Sequence, residues 1–155
     1  MEIILFEPEI PPNTGNVARL CAGLKLPLHL IEPLGFSLSD RYLKRAGLDY
    51  WPFVDLRVWS GWEEFIRNWK DKRIIATSAR RGSLFAEYRP LKSDGLLFGP
   101  ETRGLPERIV SDSSGLFNIP LEPEVRSLNL ATTVGFFLGF AFSRLHSQGG
   151  LHGGV

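Results

Sequence analysis

One cysteine, Cys21, stands in the whole 155-residue chain, so no intrachain disulfide can form and the stapled scaffolds of small secreted domains are excluded. Nothing around Met1 and Glu2 resembles a basic head followed by an apolar stretch, which points to a cytoplasmic protein. Neither sign of charge dominates. The 18 Lys and Arg side chains against 17 Asp and Glu leave a net charge of +1, which gives no global pull on nucleic acid and throws any such claim onto local sites. The histidines, His29, His146 and His152, lack both metal-ligand spacing and a cysteine partner, so no metal is expected. No Gly-x-Gly-x-x-Gly follows the first strand and no Gly-Lys-Ser/Thr loop exists, which disfavours an ordinary dinucleotide or ATP enzyme. The uncharged stretch from Ser127 to Ser143 is shorter than the roughly 18 to 20 apolar residues that span a bilayer. Thr132 and Thr133 interrupt it, so no membrane span is expected.

What the chain does have is 43% hydrophobic residues, enough for one domain with a substantial core. Apolar β-rich runs alternate with helix-like segments, the pattern of an α/β protein with a mostly parallel sheet flanked by helices. Strands are predicted at about Glu2 to Phe6, Leu28 to Ile31, Phe53 to Trp59, Arg73 to Thr77, Gly95 to Phe98 and Leu116 to Ile119. Val17, Leu20, Cys21 and Leu24 recur at helical spacing and predict a helix over Asn16 to Leu24. Cys21 falls on its core face, as a small buried hydrophobe rather than a nucleophile. Ser60 with Glu63 predicts a capping box for a helix through Trp69. Residues 1–145 read as the single domain, and 146–155, rich in glycine, as a flexible tail.

Three loops follow strand ends, where open α/β sheets place ligands: EPEIPPNTGNVARL, LLFGPETRGLP and FNIPLEPEVRSLNL. Singly, each has a bland reading, with Asn13, Thr14 or Ser127 as helix caps and Gly99 or Gly104 as turn residues. Together they combine backbone rigidity with hydrogen-bonding groups, and they converge if the strands are neighbours.

The combination of NTGNVAR, FGPETRG and IPLEPEVRSLNLA resembles the three motifs of the SPOUT superfamily of S-adenosylmethionine-dependent RNA ribose methyltransferases. The opening EPEIPPNTGNVARLCA and the later HLIEPLGF are most similar to its small single-domain branch, which methylates the wobble nucleotide of tRNA, cytidine or uridine. The likeness runs over residues 2–145. It implies a C-terminal deep trefoil knot whose loops hold the methyl donor, with no metal. Thr77, Ser78, Phe98, Gly99, Gly104, Ile119, Leu121, Ser127 and Leu128 are the implied donor-binding residues.

For catalysis the resemblance implies Arg19, with Asn13 positioning it and Glu101, Ser127 and Asn129 organising the pocket. A guanidinium does not readily deprotonate, so Arg19 is either the proton relay or a phosphate grip that orients the nucleotide. The basic clusters Arg41, Lys44, Arg45 and Arg80, Arg81 are candidates for RNA contact, and Tyr50 and Trp51 either stack on a base or join the core. The uncharged helix after Asn129 needs cover beyond the sheet, since each exposed phenylalanine among Phe136, Phe137, Phe140 and Phe142 forgoes roughly 1.5 to 3 kcal/mol of burial. A homodimer supplies that cover. Other readings remain open: a ribose methyltransferase of rRNA or of another tRNA position, a non-catalytic RNA-binding protein on the same fold, and a flavodoxin-like enzyme of another nucleotide.

Overall fold

The computed structural model describes residues 1–39, 43 and 49–149, and the cluster Arg41, Lys44, Arg45 lies outside them. The described residues build an α/β sheet: β1 (Glu2–Phe6), β2 (Leu28–Ile31), β3 (Leu56–Trp59), β4 (Ile74–Thr77), β5 (Ser83–Leu84), β6 (Gly95–Phe98) and β7 (Gly115–Asn118). All paired strands run parallel, in the spatial order β3-β2-β1-β6-β4-β7-β5. The inner strands EIILF, LHLI, IIAT and GLLF are buried almost throughout, as expected when helices cover both faces. Helices α1 (Pro11–Leu24), α2 (Trp62–Asn68), α3 (Glu107–Ser111) and α4 (Leu130–Gly149) supply that cover.

Strand alternation splits the core in two. Ile3 and Leu5 point to the face covered by α1 and α4, joining Val17, Cys21, Val134, Phe137 and Ala141. Ile4 and Phe6 point the other way, into an aromatic-rich layer with Trp62 and Phe65 of α2, Trp69 at its C-cap and Ile109 of α3.

Several boundaries differ from the sequence expectation, each for a physical reason. Helix α1 begins at Pro11 rather than Asn16, because the Pro pair occupies the first helical positions, where no amide hydrogen is needed. The predicted third strand is shorter, starting at Leu56, since Trp51–Phe53 form a 3-10 turn instead. Strand β5 was not expected at all, being two exposed residues held only by β7. Ser60 bonds Glu64 through its amide and hydroxyl, at 2.7 and 2.8 Å, and Gly61 rather than Ser60 is the N-cap of α2. Helix α4 continues through Gly149, past the predicted end of the domain, and residues 150–155 lie outside the described ones. Phe137 is fully buried within the single chain, and Phe140 and Phe142 are half-buried. Only Phe136 of that set stays exposed, at 49%.

The strand starts share one end of the sheet and carry a closed polar network. Asp94, wholly buried, receives Arg73 in a two-pronged pair at 2.9 and 2.8 Å, the Tyr88 hydroxyl at 2.6 Å and the Leu91 amide at 2.8 Å. Beside it His29 donates Nε2–H to Glu2 at 2.7 Å and accepts the Trp59 indole N–H on Nδ1 at 3.0 Å. Indole is a donor only, which fixes that tautomer.

Candidate active site

At the opposite end, where β4, β6 and β7 finish, their loops enclose a cleft of about 450 Å³. Segments 77–81, 98–105 and 119–128 line it, with Leu130 and Thr133 from the start of α4. All nine residues expected to hold a donor, Thr77, Ser78, Phe98, Gly99, Gly104, Ile119, Leu121, Ser127 and Leu128, fall on this lining. Gly99 is required by close approach: a Cβ there would lie 2.6 Å from the Leu105 amide nitrogen. Gly104 sits at φ 69°, the left-handed region that glycine enters without strain, and its amide closes a turn onto the Pro100 carbonyl at 3.0 Å. The Thr77 hydroxyl is spent on the Leu97 carbonyl at 3.0 Å, so this residue offers the cleft mainly backbone. The Ser78 Oγ accepts the amides of Arg80 and Arg81 at 3.3 and 3.1 Å and shapes the turn after β4.

Along one side of the cleft, the three motif loops are joined by hydrogen bonds. The Glu101 carboxylate accepts the amides of Glu9 and Ile10 at 2.9 and 3.2 Å and the Asn13 side-chain amide at 3.2 Å. It thereby caps α1, whose N-cap Ile10 has no capping side chain of its own. Asn13, 8% exposed, turns its Oδ1 to the Asn129 Nδ2 at 2.8 Å, and the Asn129 Oδ1 accepts the first amides of α4, from Ala131 and Thr132, at 2.9 and 3.3 Å. Because a carboxylate only accepts, the direction of every bond in this chain is fixed. Asn13, Glu101 and Asn129 therefore form one unit across 116 residues of sequence. Ser127 lies on the lining beside it, outside this chain of bonds.

Arg19 is placed differently. It is exposed on α1, six residues and about 9 Å of helix rise beyond Asn13. Its guanidinium carbon stands 5.0 Å from the centre of the Tyr50 ring, and it does not line the cleft. Tyr50 is half-buried against the core and donates its hydroxyl to the Gly15 carbonyl at 2.6 Å; burial raises its phenol's pKa, with Arg19 opposing. Trp51 packs against the same core, so both aromatics serve structure in the single chain. Arg80 and Arg81 line the cleft, but Arg80 bonds the Pro123 and Val125 carbonyls and Arg81 pairs with Glu107 at 2.7 Å.

Sequence reasoning missed a second clasp between the same loops. The Glu9 carboxylate accepts the Thr102 amide at 3.0 Å, the Thr102 hydroxyl at 2.9 Å and the Arg103 guanidinium at 2.9 Å, and Arg103 also pairs with Glu7. Glu101 and Glu9 thus reciprocally bind each other's loops. The only signal was the acidic EPE run ahead of the Pro pair, which alone reads as solvated surface. Cys21 is buried and inert, its thiol pushed up to about 12 by burial. Among the described residues no cluster of three or more His, Cys, Asp or Glu side chains could hold a metal, and no helix is long and apolar enough to cross a membrane.

Residues 1–139 match the model of the SpoU rRNA Methylase family. The chain is 41% identical over 153 residues to the tRNA (cytidine(34)-2'-O)-methyltransferase of Aeromonas hydrophila, spanning 97% of this chain and 98% of that one. It is 38% identical over 151 residues to the protein of the same description in Escherichia coli K12, covering 96% of each. A solved structure concerned with 2-OH methylation of C/U34 on tRNA superposes with a TM-score of 0.90 at 48% identity, covering 94% of this chain and 96% of that chain.

Proposed function

Given that the chain belongs to the SpoU rRNA Methylase family, we propose that it is a tRNA ribose methyltransferase that uses S-adenosylmethionine and modifies the 2′-hydroxyl of the wobble cytidine or uridine. The observation that carries this reading is the Glu101–Asn13–Asn129 chain of hydrogen bonds, which ties the first motif loop to a cleft built from the loop after β4 and the other two motif loops. When bound, the donor supplies an electrophilic methyl group. The residues around it have positioning and dehydration to contribute, since transfer from a sulfonium removes charge rather than creating it. Backbone groups at Thr77, Gly99, Ile119 and Leu121 suit an adenosine, because their side chains are small, apolar or already engaged. The Asn129 cap holds the first turn of α4, and with it Ser127 and Thr133, at the edge where the ribose hydroxyl enters. Arg19 acts from the outer face of α1 as a phosphate grip: its planar fork suits a phosphodiester, and this role needs no improbable deprotonation.

Three further features belong to this reading. The segment 119–129, which returns to the cleft before α4, is threaded as a deep trefoil knot. The protein works in the cytoplasm, where its tRNA substrate resides. A second copy covers the exposed side of α4 around Phe136 and Gly139, giving a homodimer. Phe136→Asp is then expected to leave a folded monomer in light scattering; an unmodified protein that is already monomeric at micromolar concentration would refute the dimer.

The activity itself is tested with purified protein, isotopically labelled donor and unmodified tRNA. Label is expected in the RNA without added metal. Gly99→Ala, whose new methyl meets the backbone of residues 104 and 105, is expected to lose donor binding in calorimetry while keeping its fold. Absence of both donor heat and label transfer for the unmodified protein would overturn the proposal.

A further inference from the structure

The charged side chains lining the cleft divide by partner. Arg81 is matched by Glu107 and Arg103 by Glu7 and Glu9, while Glu101 is occupied by two amides and Asn13. Arg80 and Arg126 differ. Arg80 donates through Nη2 to the carbonyls of Pro123 and Val125 at 3.1 and 2.6 Å, and Arg126 through Nη2 to the Thr102 carbonyl at 3.4 Å. Neither has a carboxylate oxygen within 4.0 Å among the described residues. Carbonyl dipoles satisfy N–H groups without cancelling a full charge. Both arginines keep Nε and Nη1 without an acceptor among the described residues.

Their placement is mutual. Val125 immediately precedes Arg126, so the bond from Arg80 sets one cation against the turn from which the other extends, and Ser127 follows directly. Arg80 comes from the loop after β4 and Arg126 from the loop after β7, and both line the cleft. The sulfonium of the proposed donor is itself a cation, which two uncompensated cations repel. Such a pair on the lining therefore fits an anion that enters together with the donor.

We propose that Arg80 and Arg126 together clamp a phosphodiester of the RNA strand, the one flanking the ribose presented to the cleft, whereas the adjacent Arg81 and Arg103 are neutralised and serve the loops. This rests on the methyltransferase reading above and sharpens its substrate side. The carbonyl bonds pre-orient both guanidinium planes and leave N–H groups on each, so that the two arginines can grip one phosphate from two sides. A phosphate contact on unpaired RNA contributes about 0.7 to the slope of log affinity against log salt concentration.

The test is titration of a synthetic anticodon stem-loop RNA with the full chain across a range of salt. Arg80→Gln and Arg126→Gln are each expected to flatten the slope by about 0.7, whereas Arg80→Lys and Arg126→Lys retain it. Arg81→Gln keeps the unmodified slope, because its charge is already matched by Glu107. The titrations are run at saturating donor, with donor affinity measured separately without RNA, so that a change in the lining does not enter the slope. Unaltered slopes in both Gln variants would overturn the clamp while leaving the enzyme's activity standing. A fall in donor affinity at unaltered slope would assign the pair to the donor's carboxylate and equally overturn it. An unmodified protein that binds no RNA and transfers no methyl would refute both readings at once.

Discussion

The two ends of the parallel sheet use the same residue types to opposite effect. At the strand starts, buried carboxylates are saturated by partners that reach in from the surface: Asp94 has three partners and no exposure, and Glu2 is shared by His29, Lys72 and Arg57. At the strand ends, carboxylates hold the backbone of neighbouring loops, as Glu101 holds Glu9 and Ile10 and Glu9 holds Thr102. The first arrangement closes the sheet and leaves nothing over for a ligand. The second ties three loops together beside a space and leaves N–H groups of Arg80 and Arg126 on its lining. Partner choice, rather than residue type, separates a stabilising network from a site.

The contrast is broken most strongly at Asp94. Asp94→Ala strands Arg73 and the Tyr88 hydroxyl, and is expected to lower stability by about 3 kcal/mol in urea unfolding. Donor affinity of the folded fraction should not change. Glu101→Gln is the mirror experiment: the isostere brings its own N–H groups to a site that needs only acceptors. Methyl transfer is expected to fall on the order of 100-fold, about 2.7 kcal/mol, with the unfolding transition nearly in place. A Glu101→Gln protein that unfolds as readily as Asp94→Ala would erase the distinction between the two ends.

Acid should weaken the strand-start end first. Burial lowers the pKa of His29, outweighing the bond to Glu2, so His29 is neutral where an unfolded histidine would be charged. As pH falls below the ordinary histidine value of about 6.5, the unfolded chain takes up a proton that the folded chain refuses. Stability is then lost at up to about 1.4 kcal/mol per pH unit until His29 itself titrates. Burial raises the pKa of Glu2, but the bonds from Lys72 and His29 bring the net shift below its ordinary value, so its contribution disappears only at more acid pH. Unfolding at pH 7.5 and 5.5 checks this, and His29→Gln should flatten the difference.

The smallest expected effect is at Arg19. Arg19→Lys keeps the charge and loses the fork, so transfer should persist with RNA affinity weakened by about tenfold or less, roughly 1.4 kcal/mol. Complete loss of turnover with RNA and donor binding intact would instead make Arg19 an obligatory proton relay.

The strand ends were the more legible half of the molecule. Glu2–Phe6, Leu28–Ile31 and Gly95–Phe98 announce themselves as apolar β runs, and the glycine and proline loops that follow strands carry their chemistry in contiguous motifs. The strand-start network had no such local signal: Arg73 and Asp94 stand 21 residues apart, and His29 and Glu2 stand 27 apart. The start of α1 was missed because a Pro pair reads as loop until its place in the first turn is known. Strand β5, with two residues, is too short to show alternation. The clasp between Glu9 and Thr102 crosses 93 residues, and no sequence window contains it.

The central claim is that the cleft at the strand ends delivers a methyl group to one ribose hydroxyl. Its most direct test is mass spectrometry of nuclease fragments from tRNA incubated with the protein and labelled S-adenosylmethionine. Label is expected on the 2′-oxygen of the wobble cytidine or uridine, appearing on the order of 100-fold more slowly with Glu101→Gln under single-turnover conditions. Label on a base, or on the ribose of a different nucleotide, would contradict it.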